Sequence, residues 1–222
     1  MSTTTHKTLV GVDIASSVHS YVNHQVQGRV FSLEQLLERK KITASQKPAA
    51  LKALSRMVNE KKIIRVTNGA YYRPKMGRFG RLPIEIAELI NAVTKTKKAT
   101  IVPGGVAAVN ALGLDTQLPM VHSFLSSERI RAKYKVHNVR FEYKESLQYF
   151  SEHFKIKDNS QREVGLLFWS ALNHMDKQGI NLYKKDLSRK FDELLKPETK
   201  QSFFKALPTS MKWVRESFSQ GR

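Results

Sequence analysis

There is no cysteine among the 222 residues of the chain. That excludes a disulfide framework, a thiol nucleophile and any Cys-ligated zinc or iron–sulfur centre. Long apolar runs are missing too. The nearest approaches, around residues 104–114 and 164–169, fall far short of the roughly 20 residues a membrane span needs. The first twenty residues carry no apolar block behind a basic start, so no secretory signal is expected. Acidic residues are scarce, with 19 Asp and Glu against 38 Lys and Arg and a net charge of +19. No repeat or low-complexity tract breaks the pattern, and 41% hydrophobic residues are enough to bury a core.

The basic excess is unevenly spread. Residues 1–82 hold 15 basic and 4 acidic side chains, residues 83–145 hold 9 and 6, and residues 146–222 hold 14 and 9. The first third of the chain therefore carries more than half of the surplus. Such a surplus favours a polyanionic partner, with nucleic acid first. A membrane partner is not expected, because no basic amphipathic helix with exposed aromatics stands out.

Helical spacing of Ile14, Val18, Tyr21, Val22 and Val26 predicts a first helix behind an Asp13 cap, ended by Gly28. Ser32 caps a second, with Leu33, Leu36 and Leu37 as its buried stripe. Two caps compete for the third helix. Thr43 with Gln46 resembles a capping box but leaves Pro48 beyond the first turn. Ser45 as cap keeps Pro48 where proline is tolerated, and is the better reading. Leu51, Leu54 and Val58 then share the buried face, opposite Gln46, Ala49, Lys52, Ala53 and Arg56. Asn68-Gly69 between two β-rich runs signals a type I′ hairpin, which pairs Val66 with Tyr71 and Arg65 with Tyr72. Three helices and a hairpin predict a winged helix-turn-helix over residues 1–82. The run Arg73, Lys75, Arg78 and Arg81 with two glycines is expected to form a flexible cationic strap, closed at Pro83.

On that fold Ser45, Gln46, Ala49, Lys52 and Arg56 are the residues expected to read bases, since Arg or Lys pairs with guanine and Gln with adenine in the major groove. Arg65, Asn68, Arg73, Lys75, Arg78 and Arg81 are the expected phosphate contacts of the wing and strap. Tyr71 and Tyr72 are expected to pack inside the wing.

Beyond Pro83 lies a second predicted domain, residues 83–222. Its part 83–145 reads as a small α/β unit. Ile86, Leu89, Ile90 and Val93 mark a helix, residues 104–112 a second, small-residue helix, and residues 99–102, 120–125, 129–136 and 139–143 strands, the last two joined through His137-Asn138. Part 146–222 reads as helical, over residues 147–154, 164–175, 182–195 and 203–218, with a break at Pro208. The fold class is α+β. Pro103, Gly104 and Gly105 open the small-residue helix without the Lys-Ser or Lys-Thr of a Walker loop, so the glycines are expected to serve close helix–sheet packing.

Catalytic signals are thin. Glu142 and Lys144 with Asp115 match the acid-x-Lys pattern of metal-dependent nucleases, in which carboxylates hold Mg²⁺ and the lysine aids the attacking water. The same triplet form recurs at Glu38-Arg39-Lys40, Glu60-Lys61-Lys62 and Glu198-Thr199-Lys200, so it discriminates poorly. The seven histidines are scattered without metal-ligand spacing, and no Gly-x-Ser-x-Gly elbow is present. No catalytic residue, metal or cofactor is expected, and a DNA-targeted nuclease is the alternative reading.

Three blocks, taken together, resemble one family. Ala53, Leu54, Ser55, Arg56, Met57 and Val58 with Ile63, Ile64, Arg65, Val66, Asn68, Gly69, Ala70 and Tyr71 resemble the winged helix of AbiEi-type antitoxins from type IV toxin–antitoxin systems. The run Ile101, Val102, Pro103, Gly104, Gly105, Val106, Ala107 and Ala108, continuing through Asn110, Ala111, Leu112, Gly113 and Leu114 to Gln117, Leu118 and Pro119, is similar to the hallmark of that family's second domain. Leu207, Pro208, Thr209, Ser210, Met211, Lys212, Trp213 and Val214 fit its end. One departure is Lys61-Lys62, where a glycine is commoner. The resemblance implies a cytoplasmic bacterial antitoxin that binds the double-stranded DNA of its own promoter, at inverted repeats and as a homodimer. It also implies repression of the chain's own operon and antagonism of a nucleotidyltransferase-like toxin.

Overall fold

The computed structural model describes residues 13–117, 119–130 and 138–219. The chain is a mixed α+β protein divided into two compact units, one ending at Ala92 and the other beginning at Val93.

The first unit opens with helix α1 (Ile14–His24), held at its start by Asp13, whose carboxylate accepts from the amides of Ala15 and Ser16 at 3.1 Å. A hydrogen bond from the Ser16 hydroxyl, with those from the Ser16 and Ala15 amides, depresses the Asp13 carboxyl below its usual range. Val18, Tyr21 and Val22 bury the inner face. Strand β1 (Val30–Ser32) follows, an element that the sequence pattern did not announce, and runs directly into α2 (Leu33–Arg39). Ser32 and Gln35 form a reciprocal capping box there.

Helix α3 (Lys47–Asn59) has its cap one residue later than the expected Ser45. Gln46 occupies the cap position, with its amide oxygen turned back to the Thr43 amide at 3.1 Å. Pro48 falls within the first turn, where its missing N–H leaves nothing unsatisfied. The buried stripe is Ala50, Ala53, Leu54 and Met57 rather than Leu51, Leu54 and Val58. Leu51 is 36% exposed and Ala53 is buried, so the inner face is rotated from the one expected. The small Ala50 and Ala53 let α1 and α3 approach closely, and these two helices pack on each other.

α3 ends in a Schellman motif. The amide of Lys62 reaches the Met57 carbonyl and that of Lys61 the Val58 carbonyl, both at 2.9 Å, with Lys61 left-handed at φ +58. Glycine is the usual residue in that conformation. Lys41 (φ +52) and Lys98 (φ +51) are left-handed in the same way, the first just after α2.

Strands β2 (Ile64–Thr67) and β3 (Ala70–Tyr72) form the expected hairpin around Asn68-Gly69, but only Gly69 has a positive φ (+82) and Asn68 does not, so the turn is not the expected type I′. Its register differs from the expected one by a residue. Thr67 faces Ala70, but Arg65 faces Tyr71 and Ile64 faces Tyr72, because the ladder bulges between Arg65 and Thr67 and leaves Val66 as the extra residue. β1 adds antiparallel to β3, giving a sheet of order β1-β3-β2. Phe31 on β1 packs edge-on to Tyr21 and stacks on Tyr71, at ring separations of 5.7 and 5.8 Å. Tyr71 and Tyr72 are both buried, as their reading as packing residues requires.

The expected flexible strap is ordered. Residues Met76–Gly77 (β4) and Gly80–Arg81 (β5) pair as a short second hairpin whose tip is Arg78 and Phe79. The Tyr72 hydroxyl lies 3.4 and 3.3 Å from the carbonyls of Leu82 and Pro83 and ties down its exit. Helix α4 (Ile86–Lys97) then carries the chain across the division between the units.

In the second unit, β6 (Ile101–Pro103) pairs antiparallel with β7 (His122–Ser126), and β7 pairs parallel with β8 (Val139–Tyr143). The expected strand over residues 129–136 is not seen at Arg129 and Ile130, and from residue 131 it lies outside the described residues. Helix α5 (Val106–Ala111) is capped by Gly105 at φ +61, and a Cβ on Gly104 would press on Leu125 at 3.1 Å. Gly104 thus does serve close packing on β7, whereas a Cβ on Gly105 would meet nothing and that glycine serves the positive-φ backbone of the turn instead.

Helix α6 (Glu145–His153) precedes α7 (Asn159–Leu194), a single 36-residue helix where two were expected. Gly179 is tolerated within it, at a cost of about 1 kcal/mol, because Trp169, Leu172, Ile180, Leu187 and Phe191 stay buried on one unbroken stripe. α8 (Pro197–Ala206), a 3₁₀ turn (Thr209–Met211) and α9 (Trp213–Ser219) complete the chain with the expected break at Pro208. Phe203 is fully buried among Phe150, Phe154, Phe191 and Phe204, with ring separations of 5.2 to 6.0 Å. α7 lies on β6, where the Ser170 hydroxyl donates to the Pro103 carbonyl at 2.5 Å.

Candidate nucleic-acid interface

The residues singled out from the sequence sit on three neighbouring stretches of the first unit. Ser45, Gln46, Ala49, Lys52 and Arg56 are all exposed. Ala49, Lys52 and Arg56, at spacings of three and four, share one side of α3. Ser45 and Gln46 lie in the turn before it, where the Ser45 hydroxyl is 2.9 Å from that of Thr43. The rotation of the inner face changes the company of this set. Leu51 and Ser55 join the outer surface, while Ala53 leaves it.

The wing residues are more constrained. Arg65 donates through Nη2 to the Asn68 Oδ1 at 3.1 Å, so the two expected phosphate contacts hold each other across the turn. Arg73 lies with Nη1 2.8 and 2.5 Å from the carbonyls of Asn23 and Gln25, at the C-terminal end of α1. Its charge complements the negative end of that helix, and this internal clasp occupies the guanidinium. Lys75 is exposed, with its stem over Gly28, where a Cβ would stand only 2.5 Å from Cε. Arg78 and Arg81 are exposed on the second hairpin, the Arg78 guanidinium 5.9 Å from the centre of the Phe79 ring.

A cleft of about 380 Å³ gathers Lys61, Lys62, Arg73 and Arg81 against Met57 and Met76. One acidic residue borders it, Glu60, which is paired to Lys62 at 2.7 Å and held below the usual carboxylate range by that hydrogen bond. Lys61 and Lys62 were not among the expected contacts. They are a bare pair outside any periodic face, and only the path of the Schellman turn places them beside Arg73 and Arg81. From Lys61 to Ile84 the chain has seven basic residues and no acidic one, so the whole edge is uniformly positive.

One family model matches residues 17–202, that of a family of unknown function, DUF6088. The chain belongs to that family. No curated protein matches it. The DUF6088 match spans both units and so covers the candidate interface as well as the helical region, but it assigns no activity to either.

The carboxylates of the nuclease alternative are engaged elsewhere in this DUF6088 chain. Glu142, exposed on the half-buried strand β8, is bridged to Lys144 at 2.9 Å. Asp115 accepts from the amides of Thr116 and Gln117 at 2.6 and 3.1 Å, and the Tyr183 hydroxyl is 3.4 Å from its other oxygen. Among the described residues no three His, Asp or Glu side chains converge on a point. No helix among them is long and apolar enough to cross a membrane.

Proposed function

We propose that the chain is a sequence-specific DNA-binding antitoxin. It would occupy its own promoter through the first unit and repress its operon, and would antagonise a nucleotidyltransferase-like toxin through the second. The observation that carries this reading is the exposed side of α3, bearing Lys52 and Arg56 with Gln46 in the turn before it, set beside an edge with no acidic residue between Lys61 and Ile84. The order of three helices and a hairpin, with a short strand after the first helix, supports a winged helix-turn-helix docking in which α3 enters the major groove. Contacts of Lys and Arg to phosphate would supply affinity, and side chains on α3 would supply discrimination.

The test uses the full chain and the duplex upstream of its own gene. A gel shift at physiological salt should show binding to that duplex at concentrations that leave a scrambled duplex free. A transcriptional reporter should fall on expression of the chain. If upstream and scrambled duplexes bind equally, the repressor reading fails. Co-expression with the product of a neighbouring nucleotidyltransferase-like gene should restore growth, and a chain truncated after Lys97 should not restore it.

A further inference from the structure

The second hairpin carries a feature that neither the helix face nor the phosphate contacts use. Phe79 stands 98% exposed at its tip, and Met76 and Leu82 nearby are 65% and 47% exposed. A large apolar side chain held out in water is informative, unlike a partly exposed one. It projects from a narrow support. Gly77 and Gly80 face each other across the last rung and contribute no side chains, so the tip is only Arg78 and Phe79. Gly80, at φ +113, adopts a backbone that other residues reach only with strain. Arg78 leans over the Phe79 ring, and Lys75 and Arg81 stand on the two arms. Tyr72 anchors the exit of the hairpin to the unit.

We infer that the hairpin tip is a wedge: Phe79 inserts between adjacent base pairs from the minor groove of duplex DNA, with Arg78, Arg81 and Lys75 on the flanking phosphates. This rests on the DNA-binding reading above and adds a mechanism to it. Apolar side chains that enter the minor groove in this way unstack one base step and kink the duplex, most readily at flexible pyrimidine–purine steps. A bare apolar tip would favour any apolar surface. The encircling positive charge and the lack of acidic residues from Lys61 to Ile84 call for a polyanion with an apolar interior, and the exposed side of α3 in the same unit favours a base stack over an anionic lipid surface.

A relaxed closed-circular plasmid incubated with the full chain and a topoisomerase reads this directly, without knowledge of the operator. Unstacking by the wild-type chain changes the linking number of the plasmid in proportion to bound protein. Phe79→Ala should lose at least four-fifths of that change at equal occupancy, judged by gel shift. Phe79→Leu should keep most of it, because leucine also wedges. Residue 79 touches no core, so these variants fold as the parent does. If the wild type binds plasmid but leaves the linking number unchanged, or if Phe79→Ala shifts it equally, the wedge is wrong and DNA binding stands. If the wild type binds no DNA at low salt, the underlying reading fails as well. Phe79-dependent sedimentation with anionic lipid vesicles, without an effect on the plasmid, would overturn the wedge in favour of a membrane surface.

Discussion

Arg56 and the pair Arg78 and Arg81 differ in what their loss should do. Arg56 stands on the exposed side of α3, where a guanidinium can bind one base in bidentate fashion, worth about 1–3 kcal/mol of discrimination. Arg56→Ala should therefore weaken binding to the cognate site and leave scrambled DNA nearly unaffected, as a titration on both duplexes would show. The double change Arg78→Ala with Arg81→Ala should weaken all sequences alike. It should also flatten the dependence of log K on log[salt] by nearly two units, about one for each phosphate left without its arginine. Tyr71 supplies a prediction on stability. Burial against Phe31 raises its phenol above the ordinary value of about 10. The neutral form is thus favoured by folding, and this contribution is complete below pH 10 and lost as the pH climbs past it. Tyr71→Phe should move the alkaline unfolding midpoint upward, as followed by circular dichroism.

At the scale of elements, two packing choices can be tested by single substitutions. Lys61 holds a left-handed conformation that costs a side-chain-bearing residue about 1–2 kcal/mol, against roughly 0.5–1 kcal/mol of extra unfolded-state freedom for glycine. Lys61→Gly should raise stability by about 0.5–1 kcal/mol, seen as a rise of a few degrees in Tm. Gly165 on α7 presents the opposite case. A Cβ there would lie 2.4 Å from the ring of Phe154, which is buried between Phe150 and Phe203 and has nowhere to move. Gly165→Ala should cost about 1 kcal/mol, and at most about 2, by urea denaturation. Overpacking of about 1–3 kcal/mol exceeds the roughly 1 kcal/mol gained in helix propensity. The same elements show where sequence signals stop. Caps such as Asp13 and Ser32 are local hydrogen-bonding decisions and were legible. The Asn68-Gly69 turn was legible too, but the bulge at Val66 is not a local preference, and the register was misread by one residue. Ala50 and Ala53 point inward because α1 needs close approach, a tertiary demand that hydrophobicity counts miss. The gap expected between residues 175 and 182 is bridged because a buried stripe spans it, visible only once Ile180 and Leu187 are seen to share one side. On the candidate interface, the α3 residues were readable from helical phase, whereas Lys61, Lys62 and Phe79 gain their significance from backbone path alone.

For the whole molecule, charge and core divide along the chain in different ways. The first unit holds its own apolar cluster around Val18, Leu36, Leu54 and Met57, together with about half of the basic excess, 15 basic against 6 acidic residues up to Ala92. The second holds a larger cluster, rich in aromatic rings, on α6, α7 and α8. A fragment ending at Lys97 retains the ion pair of Arg29 with Glu88 on α4 and should fold cooperatively and shift DNA. A fragment beginning at Val93 should fold but leave DNA free at physiological salt. Equal shifts by the two fragments would mean that the charge of the first unit is not where the duplex binds.

The cover that α7 gives to β6 also sets an order in time. Val102 and Leu125 reach the ribosome exit long before Trp169 and Phe191, whose helix completes the core around them. At about 5–20 residues per second the sheet of the second unit waits several seconds without its cover, while the first unit can already be finished. A nascent chain arrested before α7 would therefore pair a native, charged amino-terminal half with a sheet open to aggregation. The newly made protein should accordingly depend on chaperones most strongly between the emergence of β7 and the completion of α7.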